Sequence, residues 1–373
     1  MEQQYKHSLL VQENHDEKAR ESFTMNLAGY LTKDVFPGTR TIFDVRVAPT
    51  FKRQRERLPN RTETRHAMLR QPYYQMWSAL KRTNQEVLFD TVSEVVEHQL
   101  ADITERSKMP SRTAGGSLHL DSSVKAPRYL TAVDIHCMPG NYVAELGKDD
   151  VSAGAIFDRG LFLYGGGGLG PQSDDMGASV CAWIKKHHAE FTPNVILDMG
   201  CSIGGNTLPF ARKFPRATVH AIDVGAGVLR YGHHRAEELG VAIHFSQQNA
   251  ENTSLANGSV DLIVSNLLGH ETSLRGYRNI IVECHRLLRP GGMMLHTETE
   301  WSTETDPFSQ SVLDWETHYN AEPFKSTLDK LDSVAVARDA GFSAQKIFVE
   351  HAPSQRTGAK YHQGRWAIFG AIK

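Results

Sequence analysis

Several common features are missing from this chain. In 373 residues it has four cysteines, Cys137, Cys181, Cys201 and Cys284, and no two form a C-x-x-C pair. Scattered thiols in apolar surroundings read as buried and reduced. That points to a cytoplasmic protein and away from a disulfide scaffold. No run approaches 18 consecutive apolar residues, so no membrane span is expected. The N-terminus is polar and lacks the apolar stretch of a secretion signal. An excess of one charge is missing too. The net charge of −2 argues against a chain built mainly to bind polyanions. The 18 histidines include no H-E-x-x-H pattern, and the pairs His187-His188 and His233-His234 cannot share a helix face. These patterns give no expectation of a metal. What remains, 40% apolar and 23% charged, is ordinary for a globular protein too long for one nucleotide-binding unit.

The chain is organised around Val195–Thr207, V-I-L-D-M-G-C-S-I-G-G-N-T. A short apolar run, Val195-Ile196-Leu197, suits a strand buried on both faces. Asp198 ends it, Gly200, Gly204 and Gly205 follow, and Leu208–Phe214 reads as a helix. Strand, glycine turn and helix bring backbone amides close to a ligand. The spacing is not the G-x-G-x-x-G of dinucleotide binding, because Ser202 stands where that pattern has glycine. A second run, Ala217–Ile222, ends in Asp223, about 20 residues past the turn, where a carboxylate accepts from ribose hydroxyls.

L-D-M-G-C-S-I-G-G, A-I-D-V, Q-N-A-E-N, V-D-L-I-V-S-N-L-L and R-L-L-R-P-G-G follow in that order across Val195–Glu298. The ordered set resembles the core of a class I S-adenosylmethionine-dependent methyltransferase of small-molecule type. The resemblance implies a Rossmann-like α/β sheet and S-adenosylmethionine as cofactor. It implies that Asp198 and Gly200 lie along the methionine part, that Ser202 and Gly204 of the same turn also bind the cofactor, and that Asp223 holds the ribose. Val224 would pack on the adenine, Asn249 and Ala250 would read its edge, and Asn266 and Leu267 would back the sulfonium. The family often has Gly in place of Ser202 and Asp in place of Asn249.

Along the chain, Met1–Arg20 is polar, and Phe23–Val47, with its Phe36-Pro37-Gly38 turn signal, reads as an irregular arm. Phe51–Arg70 gathers Lys52, Arg53, Arg55, Arg57, Arg61, Arg65 and Arg70. No aromatics are interleaved as in a nucleic-acid platform, so a solvated helix face with Glu56 and Glu63 as counter-charge is favoured. Pro72–Lys108 reads as helix, with Leu88, Val92, Val95, Gln99 and Ile103 on a face that packs on the body or on another subunit, a homodimer included. Ser111–Ser123 is read as a polar loop and Arg128–His136 as a strand. Gly165–Gly168 is a hinge or a packed loop, with no Lys-Ser/Thr after it to cradle phosphate. Residues 1–170 are thus taken as an arm and mostly helical cap, and 171–373 as the catalytic domain. Strands are expected at Val241–Ser246, Val260–Ser265 and Met293–Thr297, with Ile347–His351 and Trp366–Ile372 as a closing antiparallel pair.

Chemistry is expected beyond the carboxyl ends of the strands. His270 and Glu271 are the candidate catalytic pair, His270 as a base. Residues 301–330 are too long for a plain connection and read as a substrate lid. Tyr142, Tyr164, Glu298, Trp301 and Tyr319 are the expected acceptor-lining residues. The leading expectation is a small-molecule acceptor, with no nucleic acid and no membrane. The alternatives are RNA or protein modification through the 51–70 cluster, or a non-catalytic cofactor-binding partner subunit.

Overall fold

The computed structural model describes residues 3–109, 114–299, 306–356 and 364–373. Five helices come first: α1 (His15–Tyr30), α2 (Phe36–Ile42), α3 (Ala48–Arg55), α4 (Arg61–Met68) and α5 (Pro72–Lys108). The chain continues through β1 (Ser117–His119), α6 (Arg128–Thr131), α7 (Ser152–Tyr164) and α8 (Asp175–His187). The central sheet region is β2 (Val195–Met199), α9 (Leu208–Lys213), β3 (Thr218–Asp223), α10 (Ala226–Glu238), β4 (His244–Gln247), β5 (Val260–Asn266), α11 (Leu274–Leu287) and β6 (Leu288–Glu298). An insertion, α12 (Pro307–Tyr319) and α13 (Lys325–Leu328), precedes α14 (Ser333–Asp339), β7 (Ile347–Pro353) and β8 (Arg365–Ile372). Among the described residues no helix is long and apolar enough to cross a membrane.

The eight strands form one sheet in the order β1-β4-β3-β2-β5-β6-β8-β7. All neighbours are parallel except β8, which runs antiparallel to both β6 and β7. This is the expected Rossmann-like α/β sheet with its closing hairpin. Its middle strands alternate between two buried faces. Ile196, Leu262, Leu295 and Ile368 meet α8 and α9 on one side. Leu197, Ile263, Met294 and Phe369 meet α11 and α14 on the other. Covering both faces turns short apolar runs into central strands.

Three local expectations are corrected. Phe23–Val47 is helical, not an irregular arm. Five-residue π turns at Leu31–Val35 and Phe43–Val47 stand before the prolines of α2 and α3. Each wider turn carries the chain past a residue that lacks an amide and crowds the preceding carbonyl. Gly38 then lets α2 close on Tyr73, whose hydroxyl would lie 2.4 Å from an added Cβ. The 111–123 loop contains β1, an edge strand with no apolar alternation to announce it. Arg128–His136 is no strand but α6 and a 3-10 turn over Ile135–Cys137. The Leu130 and Val133 carbonyls there accept from the Asn141 amide, not from a sheet neighbour.

Residues on either side of position 170 share their packing. α5 and α7 bury Val92, Val96, Ile156 and Leu163 together with Val228 and Tyr231 of α10. The Phe43–Val47 turn, α4 and α5 bury Phe43, Met68 and Trp77 with Phe308 and Trp315 of α12. The N-terminal segment is strapped down as well. Tyr5 N–H donates to the Pro171 carbonyl, and the Ser8 amide and hydroxyl both donate to Glu238. Gly165–Gly168 is a packed loop: Gly166 and Gly167 donate back to the last carbonyls of α7.

Candidate functional site

A cavity of about 430 Å³ opens at the carboxyl ends of β2, β3, β5 and β6. One wall is the glycine turn. Gly200 has φ +69° and Ser202 φ +49°, the left-handed region that lets the chain reverse above β2. A side chain at Gly200 would meet Leu268 at 2.7 Å. Asp223, at the end of β3, closes the turn from the next strand. Its carboxylate accepts from the Ser202 N–H at 2.9 Å and the Gly225 N–H at 3.0 Å. Asp198 lies underneath, with one oxygen accepting from the Thr207 hydroxyl at 2.6 Å. Burial pushes its carboxyl up to about 7, and Asp223 adds to the effect. Burial also raises Asp223 above the usual carboxylate range.

Val224, Asn249, Ala250, Asn266 and Leu267 line the same wall. Unsatisfied polar atoms concentrate here. Asp198 Oδ1, Ser202 Oγ and both side-chain amide atoms of Asn266 are buried without a protein partner. Buried polar groups are ordinarily hydrogen-bonded, so these atoms point to a polar ligand. Gly204 belongs elsewhere. With φ +72° it packs its turn against Phe245, 2.8 Å from an added Cβ, and does not line the cavity. Its expected place beside the cofactor is therefore corrected, and Gly205 lines the wall instead.

The opposite wall is a cluster of histidines and carboxylates. His270 and Glu271 sit on a 3-10 turn just after β5. His270 is only 3% exposed, and its Nδ1 lies 2.6 Å from Glu298 Oε2. Its Nε2 faces Glu271 at 3.6 Å and Glu322 at 4.0 Å. His136 arrives from the N-terminal region in a left-handed conformation, φ +56°. Its Nε2 lies 3.0 Å from Glu271 and its Nδ1 3.2 Å from Glu322. Burial pushes both imidazoles down, but the carboxylates outweigh it. Glu322 and Glu271 hold His136 well above its ordinary value, and Glu298 raises His270. Burial likewise pushes Glu298 and Glu322 up, but the facing imidazoles bring both below the usual range. His270 thus has a carboxylate on the side of each ring nitrogen, Glu298 at Nδ1 and Glu271 at Nε2. Glu271 Oε2 is buried with no partner.

The remaining acceptor candidates divide. Tyr142 lines the cavity, its hydroxyl 3.4 Å from Glu271, and Tyr164 lines it beside the His136 ring. Glu298 lies behind the wall and holds His270 and the Gly269 N–H, so it is not an acceptor contact. Tyr319 is also corrected. It packs on Trp315 in the α12 aromatic cluster, and its carbonyl accepts from Arg82. α12 points that face at α4 and α5, away from the cavity. Trp301 lies outside the described residues. Sequence reasoning missed Tyr129, His136, Glu322 and Lys325, all of which line the cavity. They come from segments far apart in the chain. The one available signal was polar residues inside the aromatic insertion, where the Lys325 ammonium donates to Thr299 at 2.8 Å.

Residues 196–292 match the sequence profile described as a methyltransferase domain. Over 166 residues the chain is 32% identical to the malonyl-[acyl-carrier protein] O-methyltransferase of Methylococcus capsulatus, covering 43% of this chain and 58% of that one. Over 172 residues it is 27% identical to the ubiquinone biosynthesis O-methyltransferase of Pseudomonas syringae pv. tomato, covering 44% and 71%. Phosphoethanolamine N-methyltransferase 2 of Haemonchus contortus, solved with phosphomonomethylethanolamine and S-adenosylhomocysteine, superposes with a TM-score of 0.43 at 19% identity, covering 58% of each chain. The chain thus spans just over half the length of the first of these curated relatives. The unsatisfied Asp198, Ser202 and Asn266 atoms and the tight Gly200 cradle fit a cationic nucleoside cofactor bearing an amino acid. Sheet order, glycine turn and profile match agree, and residues 196–292 belong to the class I S-adenosylmethionine-dependent methyltransferases.

Proposed function

We propose that the protein transfers a methyl group from S-adenosylmethionine to a small acceptor enclosed in the cavity. The observation that carries this is that one cavity of about 430 Å³ joins the cofactor wall to the His136–His270–Glu271 wall. Asp198 and Gly200 hold the methionine end, Asp223 the ribose, Val224 the adenine face and Asn249-Ala250 its edge. Asn266 and Leu267 stand behind the sulfur. When bound, the cofactor supplies a methyl group on a sulfonium, open to in-line displacement. An acceptor lone pair would take that methyl group, with the carbon–sulfur electron pair left on sulfur as a thioether. The chain's own work is alignment and exclusion of water.

Glu271 is the carboxylate that faces the acceptor, and it takes the proton an oxygen or nitrogen acceptor sheds. His136 and Tyr142 hold Glu271 in place, and the His270 ring faces the same carboxylate. Tyr129, Tyr142 and Tyr164 from the N-terminal region and Glu322 and Lys325 from the insertion limit the acceptor to a small molecule. The basic 51–70 segment supports no nucleic-acid reading. Arg55 and Arg57 are engaged by Glu63, and Arg61 by Asp314.

Calorimetry tests the cofactor assignment: S-adenosylhomocysteine binds one site per chain and NAD does not. Turnover is read as S-adenosylhomocysteine released from S-adenosylmethionine with a panel of small hydroxylated and amino acceptors, at low and high salt. Turnover that needs RNA and collapses with salt would overturn the small-acceptor reading.

A further inference from the structure

Two histidines and a carboxylate converge on one point of the acceptor cavity. His136 Nε2 and His270 Nε2 lie 3.0 and 3.6 Å from Glu271 Oε1, and the three donor atoms all fall within 4.8 Å of one another. Bonds of roughly 2.0–2.2 Å to a tetrahedral ion separate its ligand atoms by roughly 3.3–3.5 Å. The two histidine–carboxylate separations bracket that value.

The outer partners make the arrangement more than a charge cluster. Each imidazole turns its other nitrogen to a buried glutamate, His136 Nδ1 to Glu322 at 3.2 Å and His270 Nδ1 to Glu298 at 2.6 Å. A carboxylate on the far ring nitrogen fixes the tautomer and aims the near nitrogen, as metal-binding histidines require. Glu298 is itself held by the Gly269 N–H, and the Asn320 amide donates to Glu322 at 2.7 Å. Glu271 Oε2 is buried and without a partner, on the same carboxylate that faces both imidazoles.

We infer that His136, His270 and Glu271 bind a divalent transition-metal ion, with Zn2+ the best fit. Two imidazoles and one carboxylate suit Zn2+ and its first-row neighbours. Mg2+ and Ca2+ prefer an all-oxygen shell, and the set has no thiolate for a softer ion. Three protein ligands leave a position open, and it faces the cavity. The ligand for that position is an oxygen atom of the acceptor, so the ion selects hydroxylated or carboxylated acceptors over plain amines. This role rests on the methyltransferase reading above; the site itself rests on the donor geometry. The sequence hid it because the ligands come from the Ile135–Cys137 turn and the turn after β5, with no spacing motif.

The test uses the full-length protein stripped with a chelator. Zn2+ is titrated by calorimetry, retained metal is counted by elemental analysis after desalting, and Co2+ is added as a spectroscopic probe. One ion per chain is expected, with visible Co2+ absorption. Glu271→Gln and His270→Gln should each lower affinity at least about 100-fold, and Glu298→Gln, which only aims His270, about 10–100-fold. Thermal melts report folding. If buried Glu298→Gln does not fold, the isosteric, cavity-facing Glu271→Gln decides. Failure to retain an ion, or equal retention by the His270→Gln/Glu271→Gln double variant, would overturn the site. S-adenosylhomocysteine is titrated into the same stripped protein. Binding there without any ion overturns the metal alone, whereas an ion without cofactor binding sinks the methyltransferase reading and leaves the site standing.

Discussion

Asp223 performs two tasks through one carboxylate. It pins the Ser202 and Gly225 amides that shape the glycine turn, and in the proposed function it also accepts from the ribose. Asp223→Ala should weaken S-adenosylhomocysteine binding by about 1.5–3 kcal/mol, the range for hydrogen bonds to a charged group. Calorimetry checks it, and wild-type affinity would move the ribose elsewhere. Asp198 makes a prediction about pH. Its carboxyl, pushed up to about 7 by burial, binds a proton in the folded protein that the unfolded chain has already released. The folded state therefore carries the extra proton from about pH 4 to 7. Asp198 costs stability as pH rises through that window, by at most about 1.4 kcal/mol per pH unit. Asp198→Asn should remove the dependence. The melting temperature of the variant minus that of the wild type should rise between pH 4 and 7, and a flat difference would mean the carboxyl titrates normally. Both aspartates were legible in the sequence, because each ends an apolar run at a fixed distance from the glycines. His136 was not. Nothing in I-H-C marks a left-handed turn that reaches Glu271 and Glu322.

At the scale of elements, the described part of the 301–330 insertion packs on the N-terminal helices and also reaches the cavity. α12 has a core of its own with the N-terminal helices: Trp315 is 1% exposed, its indole donates to Ser78 at 2.7 Å, and the Lys81 ammonium sits 3.8 Å above its ring. The chain after α12 then turns back and delivers Glu322 and Lys325 to the cavity. Trp315→Ala should cost about 3–5 kcal/mol, as for other buried aromatics, and should lower turnover more than cofactor affinity. A melt together with the two assays checks this; an unchanged melting temperature would mean α12 is not anchored there. The aromatic content announced the insertion's packing, but only the path of the chain shows which of its polar residues meet the cofactor domain. The same limit explains Arg128–His136. Its alternation suits a strand, yet no sheet edge is offered to it, and the Asn141 amide takes its carbonyls.

For the whole molecule, the N-terminal 170 residues are part of the fold and not an appendage. They supply edge strand β1, the α7 face against α10 and part of the cavity wall, His136 and Tyr142 included. A fragment of 171–373 should therefore expose Val228 and Tyr231, lose turnover and fail to melt cooperatively. A sharp melt with wild-type cofactor affinity would restore a separable cap. The sequence by itself determined the parallel sheet, the glycine turn, the acidic strand ends and the cofactor class. The first three are short-range patterns: apolar runs buried on both faces, a turn that needs left-handed backbone, and a carboxylate one strand away; the cofactor class follows from the resemblance that the ordered motifs carry. Only the tertiary structure decided the wall that faces the glycine turn across the cavity. That wall is assembled from residues near positions 136, 270 and 322, and their meeting depends on how α5, α7 and α12 pack, which no local spacing encodes.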